Sequence, residues 1–95
     1  MKYNFMNETR SFDGVTLRRI VAAEDFGDVK AGTIGGWLES EENLSQDGTS
    51  WVKASAMVFG SARVFGEAVV SGTAMVSGSA VVFGKAIIFG SARVS

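Results

Sequence analysis

Three carboxylates, Glu39, Glu41 and Glu42, surround Ser40 and form the densest group of proton-exchanging side chains in the chain. Paired carboxylates perform acid and base chemistry when a substrate proton lies within their reach. The chain contains no His and no Cys. The commonest general base and metal ligand is therefore missing, and so are disulfides and thiolate metal sites. Glu67, the one acidic residue of 51–95, or Glu39 could take a base role in principle. With no partner base or metal ligand beside any of these groups, no catalytic, cofactor-binding or metal residue is expected, and the chain reads as non-enzymatic. Residues 39–42 read as a solvated acidic loop that, with Trp37, offers a candidate partner surface.

Two other stretches imitate chemical motifs. Asp25-Phe26-Gly27 spells a kinase metal-binding triplet, but no glycine-rich nucleotide loop or catalytic loop accompanies it. Gly32-Thr33-Ile34-Gly35-Gly36-Trp37 is glycine-rich, yet no Lys-Ser/Thr follows the glycines and no helix is indicated behind them. A turn that opens a first coil is the better reading of it.

What must position these residues is a hexapeptide array. Gly recurs at 60, 66, 72, 78, 84 and 90, Ala at 56, 62, 68, 74, 80, 86 and 92, and Val or Ile at 52, 58, 64, 70, 76, 82, 88 and 94. Alternate residues point inward, so Val and Ala fill the interior, and Gly takes the corner where positive φ or crowded backbone is needed. Three such strands make a triangular coil of eighteen residues, and stacked coils make a parallel β-helix. The strict repeat spans 54–95, and Gly48, Ser50 and Val52 fall in register before it, with Ile34 an earlier Val position. Ahead of the array, Asp13-Gly14 between Thr9–Phe12 and Val15–Val21 signals a hairpin, read as a cap over the first coil. The expected organisation is 1–32 hairpin and cap, and 33–95 β-helix, in one compact unit.

On an eighteen-residue period Trp51, Val69 and Ile87 share one outward column, Phe65 and Phe83 the adjacent corner column, and Glu67 and Lys85 a column between them, where stacking pairs opposite charges. A solvated face does not look like this. The combination reads as a homo-oligomer interface, dimeric or trimeric. Ile88 and Val94 in the last coil are expected to form a second, end-to-end contact.

Residues 25–32, 35–41, 43–45 and 51–52, with Asp25-Phe26-Gly27-Asp28-Val29-Lys30-Ala31-Gly32, Gly35-Gly36-Trp37-Leu38-Glu39-Ser40-Glu41, Asn43-Leu44-Ser45 and Trp51-Val52, resemble the leader of YdcK-like hexapeptide-repeat proteins of bacteria and phages. The glycine-alanine-valine array resembles their repeat body. The resemblance implies an all-β fold, a left-handed parallel β-helix related to trimeric hexapeptide acyltransferases. Members often carry a transferase label that rests on fold alone.

Net charge is −1, divided into −4 over residues 1–50 and +3 over 51–95. Lys53, Arg63, Lys85 and Arg93 occupy different columns, so they form no stripe for nucleic acid. No apolar run is long enough to span a membrane and no secretion signal is visible, so a cytoplasmic protein is expected. The leading expectation is a self-associating structural protein that binds another macromolecule, in a phage setting a host defence protein. A nucleotide signal held between subunits and a hexapeptide-type acyltransferase are the alternatives.

Overall fold

Two residues with positive φ start the fold. In the computed structural model, which describes residues 1–95, Asp13 (φ 53°) and Gly14 (φ 77°) close a two-residue turn. Positive φ at both central positions gives the turn a twist that matches the strands it joins. Those strands are β1 (Tyr3–Phe12) and β2 (Val15–Ala22), paired antiparallel with a register shift between Phe5 and Thr9. β2 in turn pairs antiparallel with β3 (Ile34–Leu38), the first strand of the repeat body.

The body is made of two-residue rungs: β4 (Trp51–Val52), β5 (Met57–Val58), β6 (Arg63–Val64), β7 (Val69–Val70), β8 (Met75–Val76), β9 (Val81–Val82), β10 (Ile87–Ile88) and β11 (Arg93–Val94). Each pairs in parallel with the rung one coil away, which generates three faces. The first runs β1-β2-β3-β5-β8-β11, the second β4-β7-β10, and the third β6-β9, extended by a bridge from Leu44 to Val64. This is a parallel β-solenoid of about three turns, consistent with the expected left-handed β-helix. The corner glycines 60 to 90 all have φ between 63° and 69° or at 72°, a region that residues with a Cβ avoid.

The interior follows the repeat. Val52, Val58, Val64, Val70 and Val76 and Ala56, Ala62, Ala68 and Ala74 are buried in one continuous core, with Ser50 in an alanine position. Most of the larger side chains enter at the first coil and the hairpin, where Tyr3, Ile20, Leu38, Leu44 and Trp51 join the same core; farther along, only Ile88 exceeds Val in size. The two faces of β2 have different tasks. Ile20 and Ala22 close the end of the prism, whereas Leu17 joins Trp37, Met57 and Phe59 in a second cluster outside the first face, covered by Phe12 and Val15. The hairpin therefore caps the end and also wraps one side.

The leader departs from the expected register. Trp37 and Leu38 pair with Met57 and Val58, twenty residues on, whereas Met57 pairs with Met75 at eighteen. Leu38 consequently takes the inward Val position. Ile34 does not; it pairs with Val21 and stays exposed. Gly35 and Gly36 form no turn and no phosphate cradle, because they lie buried within β3. A Cβ on Gly36 would sit 2.5 Å from both the Ala56 and Lys53 carbonyl oxygens, and one on Gly35 would sit 2.6 Å from the Trp51 ring. Two glycines in succession are what lets β3 lie against the corner between β4 and β5.

Candidate functional site

The acidic loop is held by a buried amide. Asn43 ends a single 3-10 turn over Glu41–Asn43 and is fully buried. Its Oδ1 accepts from the backbone N–H of Glu39 (3.1 Å) and Ser40 (2.9 Å), and its Nδ2 donates to the carbonyls of Gly60 (3.2 Å) and Ala62 (2.8 Å). One side chain thus fixes the turn and fastens it to the next coil, since both halves of the amide are saturated. Glu39 adds to the same seam: the Gly60 N–H donates to its Oε1 at 2.8 Å. That engagement makes Glu39 a structural acceptor rather than a free base.

Of the four residues expected to form one partner surface, one is withdrawn from it. Trp37 is not at the surface. Its ring is buried, with the guanidinium groups of Arg19 and Arg10 at 4.5 and 5.6 Å and Met57 packed alongside. Glu39 binds the Gly60 corner. All three glutamates are exposed, and Glu41 and Glu42 line a shallow groove with Asp47, Arg63 and Phe65.

A second groove lies on the neighbouring face. Phe26 and Val29 exchange backbone hydrogen bonds around Gly27-Asp28, so the kinase-like triplet is a tight turn, and Asp25 accepts from the Ala31 N–H at 2.8 Å. This turn stands over β4 and β7. Asp28, Thr49, Lys53 and Glu67 ring the groove, with Trp51 and Val69 as its floor. Here lies the one carboxylate of the repeat body, exposed and without a salt bridge.

The apolar columns fall where the period puts them, but they are not uniformly open. Trp51, Val69 and Ile87 are aligned across β4, β7 and β10. Trp51 leaves the expected interface patch, because Tyr3 and Phe26 cover its ring edge-on at 6.5 and 5.3 Å and only 2% of it is exposed. Val69 is half-buried, whereas Ile87 is 64% exposed. Phe65 and Phe83 stack at 5.6 Å with planes 13° apart, and both are exposed. Glu67 and Lys85, expected to pair across coils, form no salt bridge with each other; both remain in solvent, where such a pair gains little. Ile88 and Val94 are half-buried and pack against the core, so their side chains belong largely to the interior.

The amino-terminal residues are the site component that the sequence did not disclose. Lys2 is buried, and its Nζ donates to the Ser50 carbonyl (2.8 Å), the Ser50 Oγ (3.2 Å) and the Asp47 carbonyl (3.3 Å). Burial lowers its pKa from 10.5 to about 8, with the Asp47 charge opposing the shift. The Tyr3 hydroxyl donates to the Leu44 carbonyl, and burial, followed by the charge of Glu41, raises its pKa. Lys at position 2 of a chain gives no outward sign of such a role. No group of three His, Cys, Asp or Glu residues could hold a metal ion, and no helix is long and apolar enough to cross a membrane.

No family model matches the chain. A 68-residue alignment, covering 62% of this chain and 21% of the other protein, shows 44% identity to a protein of Escherichia coli (strain K12) named uncharacterized acetyltransferase YdcK. The chain thus spans about a fifth of the length of the relative it matches. The expected resemblance to YdcK-like hexapeptide-repeat proteins is borne out by this match and by the β-solenoid. The expectation of a non-enzymatic protein is overturned, since the relative's name points toward acetyl transfer. That expectation rested on the lack of any partner beside the carboxylates, whereas the fold brings Lys53 and Glu67 to the rim of one groove.

Proposed function

We propose that the chain is an acyltransferase-type β-solenoid that moves an acetyl group from a thioester donor to a hydroxyl or amine. The observation that carries this reading is the 44% identity to a protein named an acetyltransferase, on a chain that folds as a hexapeptide solenoid. The groove between the 26–29 turn and the second face supports it, because it places an unpaired carboxylate and a cation at one opening.

In this reading Glu67 is the base. As the acceptor oxygen or nitrogen attacks the thioester carbonyl carbon, its proton passes to the Glu67 carboxylate. The new C–O or C–N bond forms, the C–S bond breaks, and the proton is returned to the departing thiolate. Lys53, on the rim of the same groove, supplies positive charge toward the oxygen on which negative charge develops. Glu39 is excluded from the base role by its bond to the Gly60 N–H.

Release of free thiol from acetyl-CoA, followed with amine and sugar acceptors and with the solenoid intact by circular dichroism, tests this directly. Turnover should fall at least ~100-fold in Glu67→Gln, the usual scale for a general base. Absence of turnover across both acceptor classes, or full activity in Glu67→Gln, overturns the assignment.

A further inference from the structure

We propose that two copies of this chain pair with antiparallel axes through the solenoid corner that carries Phe65 and Phe83. The pairing engages the Glu67 carboxylate on which the proposed acyl transfer relies, so transfer belongs to the dissociated chain; pairing is read by association and transfer by thiol release, and either can fail without the other.

The surface has three adjacent columns. Phe65 and Phe83 form a stacked aromatic pair, 40% and 59% exposed, which is already ordered before anything covers it. Val69 and Ile87 align one coil apart on the next face. Between them stand Glu67 and Lys85, eighteen residues and one coil apart, both exposed and neither engaged in a salt bridge. A partner that covers the apolar columns also covers these charges, and a covered charge is costly unless an opposite one meets it. The partner must therefore present a cation opposite coil two and an anion opposite coil three.

A second copy of this surface does so in one orientation. A two-fold axis perpendicular to the solenoid, passing between the two coils, brings Glu67 level with Lys85 of the second copy and Lys85 level with its Glu67. Both phenyl rings then meet phenyl rings, and the valine column meets the isoleucine end of its counterpart. Such an isologous contact forms two ion pairs from one self-complementary patch. Copies with parallel axes keep each residue level with its own coil, and Glu67 then never meets Lys85.

Sedimentation velocity over a concentration series, together with oxidative crosslinking, tests this pairing. The wild-type chain should form a dimer, Glu67→Lys and Lys85→Glu should each weaken it at least ~10-fold, and the double exchange should restore it to within ~3-fold. The chain has no native Cys, so Glu67→Cys and Lys85→Cys can be mixed without background. A disulfide-linked dimer should form in the mixture and not in either variant alone. Circular dichroism confirms that these surface changes leave the solenoid folded. A monomer at all concentrations, an oligomer indifferent to charge reversal, or self-crosslinking of the single variants equal to the mixture would each overturn the proposal.

Discussion

Replacing Asn43 should unfasten the first coil from the second. Four hydrogen bonds end on this amide, but they are not equivalent. The Glu39 N–H has a second acceptor in the Val58 carbonyl at 3.2 Å, so it retains a partner. The Ser40 N–H and the carbonyls of Gly60 and Ala62 depend on Asn43. A buried polar group left without a partner costs about 1–3 kcal/mol. Because the Gly60 corner and Ser40 reach solvent, the lower end applies, and Asn43→Ala should cost about 3 kcal/mol. For a domain of this size that corresponds to a fall in Tm of about 12–24 °C, measured by far-ultraviolet circular dichroism. Asn43→Asp sharpens the test. At neutral pH it keeps the two acceptor contacts but sets a carboxylate oxygen against the Gly60 and Ala62 carbonyls. It should be at least as destabilised as the alanine variant, then recover part of the loss on acidification, when the protonated acid can donate one bond. A Tm within about 5 °C of wild type for Asn43→Ala would refute the reasoning, since that is scarcely the effect of one hydrogen bond.

The close approach at β3 predicts that Gly36→Ala costs about 3 kcal/mol or yields no soluble fold, because backbone carbonyls at 2.5 Å cannot swing aside. Gly84→Ala, with nothing within 4 Å but φ at +63°, should cost only about 1–2 kcal/mol in urea melts. The buried Lys2 predicts a rise in stability with alkalinity. Between about pH 8 and 10.5 the unfolded chain keeps the Lys2 proton while the folded chain has released it, so stability increases through that window, by about 2–3 kcal/mol at most. Lys2→Met should abolish the rise. Tyr3 acts in the opposite sense above about pH 10: its raised folded pKa retains a proton that the unfolded phenol has lost, so stability then falls. Tyr3→Phe should remove that alkaline fall and cost about 1 kcal/mol at neutral pH through the lost bond to the Leu44 carbonyl.

The repeat body was legible because each of its positions answers to one physical demand. Gly at 60 through 90 satisfies a left-handed corner, and Val and Ala satisfy a narrow interior, so period alone places them. The Asp13-Gly14 hairpin was legible for a similar local reason. The leader was not, because two extra residues between Trp37 and Met57 shift Leu38 rather than Ile34 into the core, and a fixed period cannot register an insertion. Trp37 and Trp51 looked like surface aromatics by parity, and parity gives direction without saying what lies over it. Phe26, Tyr3 and the arginines of the hairpin come from distant sequence and cover both rings. Asn43, the residue that joins turn to coil, drew notice only as part of a resemblance. A lone Asn gives no hint of burial until the carbonyls of the next coil are in place around it.

The uneven distribution of bulk along the prism bears on how the chain assembles over time. Tyr3, Ile20, Leu38, Leu44 and Trp51 gather at the hairpin end, whereas the later coils contribute little beyond Val and Ala. The hairpin precedes every coil in the chain, so during synthesis the well-packed portion emerges first and presents a row of free amides and carbonyls to whatever follows. Each later coil of eighteen residues needs only to settle on that row. At about 5–20 residues per second, a ribosome delivers one in roughly 1–4 s, ample for a strand of two residues to find its rung. Growth of this kind has a direction. Folding that starts at the hairpin would add the repeats to it in chain order, as accretion on a seed.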